Sequence, residues 1–431
     1  MRRLPDLLQA FRGKASVRAV GVMAMSSGLG QLAIFCTLPL LTRLYEPAAF
    51  GLHAMFMAFV GIASVGACLC LDHRIVSTAD DATADEVFTV ALMCVPITAL
   101  ISAVVLAALI AFDLFGYHKL PIWCVPLMGL MIGLNGVFSA CRSRVVRQQD
   151  FALVAKTGLT QNIGRSIAPV IMFAVAPFWF GLTGGELAAR TLGVRSLTRR
   201  VWHRRSSELG WRRPSAWWAI VKREYRFTGV LMGTVLVDAC ASQMITPLLV
   251  GTYGAQVAGV YFLAFMLIVG PSVLVGIAAA DVIHAKGAEI FHRDPAALPA
   301  FARQAALLLL ALSLAIFAPL YLLAPYVLPP IFGAKWSQVA QAVQALTPFA
   351  VVGFIASPYS RLLVSLNKPM IKVVPDTVRL VGVPLTIFLS HASGATFIQA
   401  LWNLSWFLAA AYGLYFAITY ITMMLNVSGK K

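Results

Sequence analysis

The chain has 431 residues, of which 60% are apolar and 12% charged, with a mean hydropathy of +0.82 and a formal net charge of +17. No water-soluble fold of this length needs so much apolar surface, so soluble enzymes and soluble binding modules are excluded and an all-α polytopic membrane protein is expected. The positive balance would suit nucleic acid if it were clustered on one face, but Lys and Arg are dispersed over separate short segments, so no nucleic-acid partner is expected.

A membrane-crossing helix needs roughly 20 mostly apolar residues. On that basis about twelve spans are predicted, at 17–42, 47–71, 87–112, 120–140, 151–176, 178–198, 227–250, 256–280, 300–324, 338–366, 370–389 and 395–424. Span 1 carries Gly28, Gly30, Gln31 and Pro39; it is too long for a signal-peptide core and lacks a small-residue cleavage motif, so it is expected to be a retained first helix. Span 4 contains Pro126, Gly129, Gly133, Asn135 and Gly136, and span 10 contains Pro348, Gly353 and Pro358. Such residues allow close packing and bending, although they are frequent in membrane helices of every function. The cysteines (Cys36, Cys68, Cys70, Cys94, Cys124, Cys141 and Cys240) lie in or at the ends of apolar stretches without metal-ligand spacing, and read as small packing residues.

Numbering the spans as alternating crossings sorts the basic residues. With Arg2, Arg3, Arg12, Lys14 and Arg18 placed in the cytoplasm, the same side collects Arg74, Arg142, Arg144, Arg147, the run from Arg195 to Arg226, Lys286, Arg293, Arg303, Arg361, Lys368, Lys372, Lys430 and Lys431. The opposite side holds only Arg43, Lys119 and Lys335. Basic segments resist translocation, so both termini are expected inside. Between Arg195 and Arg226, Trp202, Trp211, Trp217 and Trp218 are mixed with arginines, a composition suited to a helix in the headgroup layer or to gripping an anionic headgroup. The acidic patch Asp80, Asp81, Asp85 and Glu86 reads as a solvated cytoplasmic loop rather than a metal site.

A few charges escape this sorting. A charge at mid-bilayer costs at least about 2.5–3.5 kcal/mol on insertion scales, so these residues are expected to face a cavity or a partner. Arg165 lies near the middle of span 5, one turn after Gln161 and Asn162; Arg190 in span 6 follows Glu186 by four residues; Asp238 is central in span 7; Arg379 in span 11 follows Asp376 by three. Lys156 is shallower and able to snorkel. Glu186 with Arg190 and Asp376 with Arg379 read equally well as local ion pairs. Arg165 and Asp238 have no local partner in sequence: Arg165 is expected to line a path and bind phosphate, and Asp238 either to pair with an arginine across the bundle or to couple transport to an ion. Gln31, Asn135 and Asn403 are candidates for hydrogen bonds to sugars, or for helix-to-helix contacts. The expected cavity set is therefore Arg165, Arg190, Arg379, Gln31, Asn135 and Lys156, with Asp238 as the coupling candidate and neither metal nor cofactor required.

The chain also echoes itself. Tyr45 to Gly51, between spans 1 and 2, has the same Tyr-to-Gly spacing as Tyr253 to Gly259, between spans 7 and 8, which is where a six-plus-six duplication would put it. An even number of spans per half makes the repeats parallel around a central cavity. The expected organisation is an N-terminal half at 1–198, a basic linker with an interfacial helix at 199–226 and a C-terminal half at 227–431.

The stretch Leu41-Thr42-Arg43-Leu44-Tyr45-Glu46-Pro47-Ala48-Ala49-Phe50-Gly51-Leu52 resembles the signature after the first helix of bacterial O-antigen and capsular polysaccharide flippases, within the multidrug, oligosaccharidyl-lipid and polysaccharide exporter superfamily. Arg144 to Ala152 and Gly251 to Tyr261 are similar to further family segments, whereas His53 and Asp72-His73-Arg74-Ile75-Val76 depart from the family pattern. The resemblance implies a flippase, not an enzyme. It would move undecaprenyl-pyrophosphate-linked oligosaccharide units to the periplasmic leaflet of a bacterial inner membrane, for O-antigen and lipopolysaccharide, capsule or exopolysaccharide. Its partners would be the lipid-linked substrate, membrane lipids and other polysaccharide-assembly proteins. Two other readings stay open. A drug exporter of the same superfamily would favour acidic cavity residues, and a membrane-embedded polysaccharide polymerase would need a sizeable external loop that the chain lacks.

Overall fold

The computed structural model describes residues 14–78, 80–203, 214–293, 297–365 and 373–428, and among them every regular element is helical. In chain order the helices are α1 Lys14–Leu44, α2 Pro47–Val65, α3 Leu71–Ser77, α4 Asp81–Ala111, α5 Cys124–Arg147, α6 Phe151–Phe173, α7 Trp179–His203, α8 Pro214–Gln243, α9 Ile245–Tyr253, α10 Ala255–Arg293, α11 Leu298–Phe332, α12 Val339–Ser365, α13 Val373–Ala392 and α14 Phe397–Ser428. Short 3-10 turns occupy Leu114–Lys119 and Ala334–Trp336.

Each predicted span is met by a helix, with two interruptions. The second span ends early because Leu69 and Cys70 adopt positive φ (51° and 56°), after which α3 runs as a separate short helix. The seventh is divided into α8 and α9 at Met244, just before Pro247. Among the described residues, ten helical segments are long and apolar enough to cross a membrane. The protein is thus a multi-pass membrane protein. α6 and α7 have the length, 23 and 25 residues, but not the hydropathy. They carry Lys156, Gln161, Asn162, Arg165, Glu186 and Arg190.

The helices group into two compact units. The first comprises the described residues of Met1–Leu44, Val60–Phe112 and Pro121–Gly233; the second comprises those of Tyr45–Phe59, Asp113–Leu120 and Thr234–Lys431. In the first, α6 packs on α1 and α7, and α4 on α5. Its densest core joins α3, α4, α5 and α7 through Ile75, Phe88, Ala91, Val145 and Leu197. The acidic patch is tied down rather than merely solvated. Asp80 caps α4 by accepting the Thr83 amide (2.7 Å), with its carboxyl held below the usual carboxylate range chiefly by hydrogen bonds from Thr83. Asp81 pairs with Arg147 (2.8 Å) and Asp85 with Arg144, fastening α4 to the end of α5. The basic segment predicted as an interfacial linker falls at residues 204–213 outside the described residues; beyond it Glu224 on α8 accepts from Arg74 at 2.7 Å and Arg223 at 3.1 Å.

In the second unit, α12 packs on α10, α11 and α14, and α13 on α14. α11 exposes Leu307, Leu308, Leu322, Leu323 and Tyr326, an apolar face suited to lipid. The echoed segments cross one another here. A methyl group on Gly51 would overlap the Ala255 carbonyl oxygen, and one on Gly259 would overlap the Pro47 carbonyl oxygen. Pro47 and Gly51 stand in the first echoed segment where Ala255 and Gly259 stand in the second, so the contact is reciprocal. Nearby, Lys119 Nζ donates to the Val250 carbonyl (2.7 Å) and Lys335 pairs with Glu46. Two of the three basic residues sorted to the outer side are thereby engaged by protein.

Candidate functional site

Two clusters of charge lie within the helices, one in each unit. In the first unit the α6 to α7 contact is close because small residues stand where side chains would collide: a Cβ on Gly185 would meet Pro169 Cδ at 2.6 Å, and one on Gly164 would meet the Ala189 Cβ at 3.0 Å. That approach brings Arg165 on α6 to Glu186 on α7. Arg165 donates to Glu186 Oε1 through Nε (2.9 Å) and Nη2 (2.7 Å), and Arg190 Nη2 reaches the same oxygen at 3.3 Å. The Arg190 guanidinium also lies 5.4 Å from the Phe138 ring centroid.

Arg165, which has no local partner in sequence, finds one 21 residues away on the neighbouring helix. The predicted pairing of Glu186 with Arg190 is present, but as part of a triad. Two guanidinium groups share one carboxylate, leaving one net positive charge on standard ionisation. Arg190 Nε and Gln161 Nε2 are buried and find no hydrogen-bond partner among the described residues. Such donors are uncommon in a folded interior and mark a place where a ligand or water completes the bonding.

In the second unit the stoichiometry is reversed. Arg379 Nη1 donates to Asp376 (3.1 Å) and to Asp238 (3.2 Å), and Nη2 lies 3.4 Å from Ser242 Oγ. Its guanidinium carbon stands 4.9 Å from the Tyr412 ring centroid. Asp238, for which sequence reading left open a partner across the bundle, has one in Arg379, 141 residues away. Here two carboxylates share one guanidinium. Arg379 is 7% exposed, and its Nε is also without a partner among the described residues.

The other predicted site residues join neither cluster through these contacts. Asn135 Nδ2 bonds Ser64 Oγ (2.8 Å), while its Oδ1 is buried without a partner among the described residues. Asn403 bonds Ser390 (3.1 Å), a helix-to-helix use. Lys156 is exposed on α6 and Gln31 half-buried on α1. Sequence reading missed an aromatic cavity of the second unit, about 490 Å³ in volume, bordered by Phe265, Phe349, Phe354 and Tyr412.

The family description "Polysaccharide biosynthesis protein" matches residues 40–341, most of the chain. No curated protein matches the sequence. Among solved structures, the chain is similar to a multidrug resistance MATE family transporter of the MOP superfamily in its inward-facing conformation, at 15% identity, 94% coverage of both chains and TM-score 0.65. The outward-facing conformation of such a transporter gives 15% identity, 95% and 96% coverage and TM-score 0.60. A MOP superfamily transporter from Pyrococcus furiosus, whose structure is described as having a binding pocket of reverse polarity, gives 16% identity, 96% coverage of both chains and TM-score 0.61. At these identities the likeness is one of fold. The chain belongs to the polysaccharide biosynthesis protein family whose description it matches, built on the fold of the MOP transporters.

Proposed function

We propose that this protein is a flippase that carries undecaprenyl-pyrophosphate-linked oligosaccharide repeat units from the cytoplasmic to the periplasmic leaflet of a bacterial inner membrane by alternating access. The observation that carries the reading is the Arg165, Glu186 and Arg190 triad, whose residual positive charge sits in the two helices that give up hydropathy to hold it. A diphosphate and its sugars cannot cross hydrocarbon unaided, because buried charge and unpaired hydroxyls are expensive. A guanidinium pair with an unused N–H suits a phosphate better than any neutral helix face does. In this reading Arg165 and Arg190 hold the diphosphate, with Lys156, Gln31, Asn135 and Arg379 along the path, and the polyprenyl tail stays in lipid. Asp238 couples the movement to a cation. The halves 1–198 and 227–431 are joined by 199–226, and both termini are cytoplasmic.

The test is a deletion strain analysed for lipid-linked repeat units. Accumulation that wild-type protein relieves and Arg165→Ala protein, present in the membrane at normal level, does not relieve supports the reading. Full relief by Arg165→Ala sinks it. A second reading, export of amphiphilic cations, draws on the acidic triad of the second unit and on the likeness to multidrug transporters. It would be favoured by unchanged lipid intermediates with altered drug tolerance.

A further inference from the structure

A further cavity of the second unit, apart from the aromatic one, lies among α11, α12 and α14 and is about 470 Å³ in volume, within the range of ligand sites. Its deep walls are Leu310, Val352, Ile355 and Gly413. Gly413 shapes it by absence, because a Cβ there would meet nothing within 4 Å. Leu307, another wall residue, is 61% exposed and belongs to the apolar face of α11 that suits lipid.

One end of this cavity is polar. The Tyr359 hydroxyl donates to the Ala302 carbonyl, and the Tyr359 ring meets Phe416 edge-on with centroids 4.8 Å apart, which holds the first turns of α11 against the late turns of α12 and α14. Phe416 stacks on Tyr420 (6.2 Å, 19°). Arg303, next to Ala302, and Tyr420 both line the cavity at this end. Leu310 and Gly413, two helical turns away, lie about 10 Å deeper. Among the described residues Arg303 makes no ion pair, the Tyr420 hydroxyl makes no hydrogen bond, and no carboxylate lines the cavity.

We infer that this cavity holds one chain of a singly anionic glycerophospholipid, of the phosphatidylglycerol type, with its phosphodiester on Arg303 and beside the Tyr420 hydroxyl. Water does not fill such a space, because a buried water needs two to four polar partners and the side chains of the deep walls are apolar. A lipid chain fills it, yet lipid tails are as apolar as leucine, so the chain alone gives no preference over the surrounding bilayer. The preference comes from the headgroup, as in the basic pockets between membrane helices that hold anionic lipids. One guanidinium balances the single charge of one phosphodiester and donates to it bidentately. Phosphatidylethanolamine brings its own ammonium and gains less. A polyprenyl pyrophosphate brings more than one negative charge to a single cation, and suits the two arginines of the first unit better. The lipid site stands whatever the cargo is.

The test uses the full-length protein purified in detergent, with phosphatidylglycerol, phosphatidylethanolamine and undecaprenyl pyrophosphate as probes and bound lipid counted by native mass spectrometry. One phosphatidylglycerol is expected to bind about tenfold more tightly than phosphatidylethanolamine and to lose about tenfold in Arg303→Gln, the scale of one charge-assisted hydrogen bond. Gly413→Leu, whose side chain enters open space, is expected to abolish that binding while the protein melts no lower than wild type. Tyr420→Phe should weaken it about threefold. The inference is overturned if phosphatidylglycerol binds no more tightly than phosphatidylethanolamine, or if its binding is unchanged in either Arg303→Gln or Gly413→Leu. It is equally overturned if undecaprenyl pyrophosphate displaces phosphatidylglycerol in an Arg303-dependent manner, which would make the cavity a cargo site. Should Arg303→Gln fail to fold, judged by its melting curve, Arg303→Lys keeps the charge but not the bidentate fork, and its effect decides in the same way.

Discussion

In the first unit one glutamate is shared by two arginines, whereas in the second one arginine is shared by two aspartates. Both clusters use a pair of charges close in sequence, Glu186 with Arg190 and Asp376 with Arg379, and then recruit a third charge from another helix. The shared device keeps charge tolerable in an apolar setting, since a buried ion needs a partner and further hydrogen bonds.

The comparison breaks most sharply where the shared residue is removed. Glu186→Ala removes the carboxylate that Arg165 and Arg190 share, and Arg379→Ala removes the guanidinium that Asp238 and Asp376 share. Each is expected to destabilise its unit by about 3–5 kcal/mol, read as a lowered melting temperature in detergent or loss of protein from the membrane. If either variant melts like wild type, its cluster is not a structural one. Gly51→Val is expected to follow, at about 1–3 kcal/mol, because its side chain has no room beside the Ala255 carbonyl. Gly259→Val should act alike if the crossing is the symmetric joint that the repeat implies.

Smaller stability effects discriminate function. Asp238→Asn keeps the shape and removes one negative charge from the second cluster. Transport is expected to lose its dependence on an imposed cation gradient while the protein stays folded; normal transport across a range of imposed gradients excludes Asp238 from coupling. The smallest effect is expected from Asn135→Ala, which removes the bond to Ser64 at about 0.6 kcal/mol, the average for polar pairs between membrane helices. A large loss of export with that small change in stability would move Asn135 from the scaffold to the transport path.

Much of the fold could be read from hydropathy runs, because twenty apolar residues in a row have few alternatives to a spanning helix. The limits of that reading are local. The break at Leu69 and Cys70 comes from backbone conformation inside a continuous apolar run, so no change of hydropathy announces it. α6 and α7 were recognisable as spans by length, yet their polar content reflects the cluster they carry. Within the site, the i to i+4 and i to i+3 pairs were visible because helix geometry places such residues on one face. Arg165 with Glu186, and Asp238 with Arg379, were not, because those pairings depend on which helices pack and in what register.

The chain's order alone thus settled its class and its helices, since both follow from the one-dimensional matching of apolar length to a bilayer. Tertiary packing decided which charges share a partner and the presence of the aromatic cavity. A cluster's net charge depends on how many partners converge from separate helices, and a cavity is defined by side chains that are absent as much as by those that line it. Gly185, Gly276 and Gly353 make that point: each is an ordinary membrane-helix glycine in the sequence, and only in three dimensions does one let two helices close beside a half-buried carboxylate while the others open a cavity.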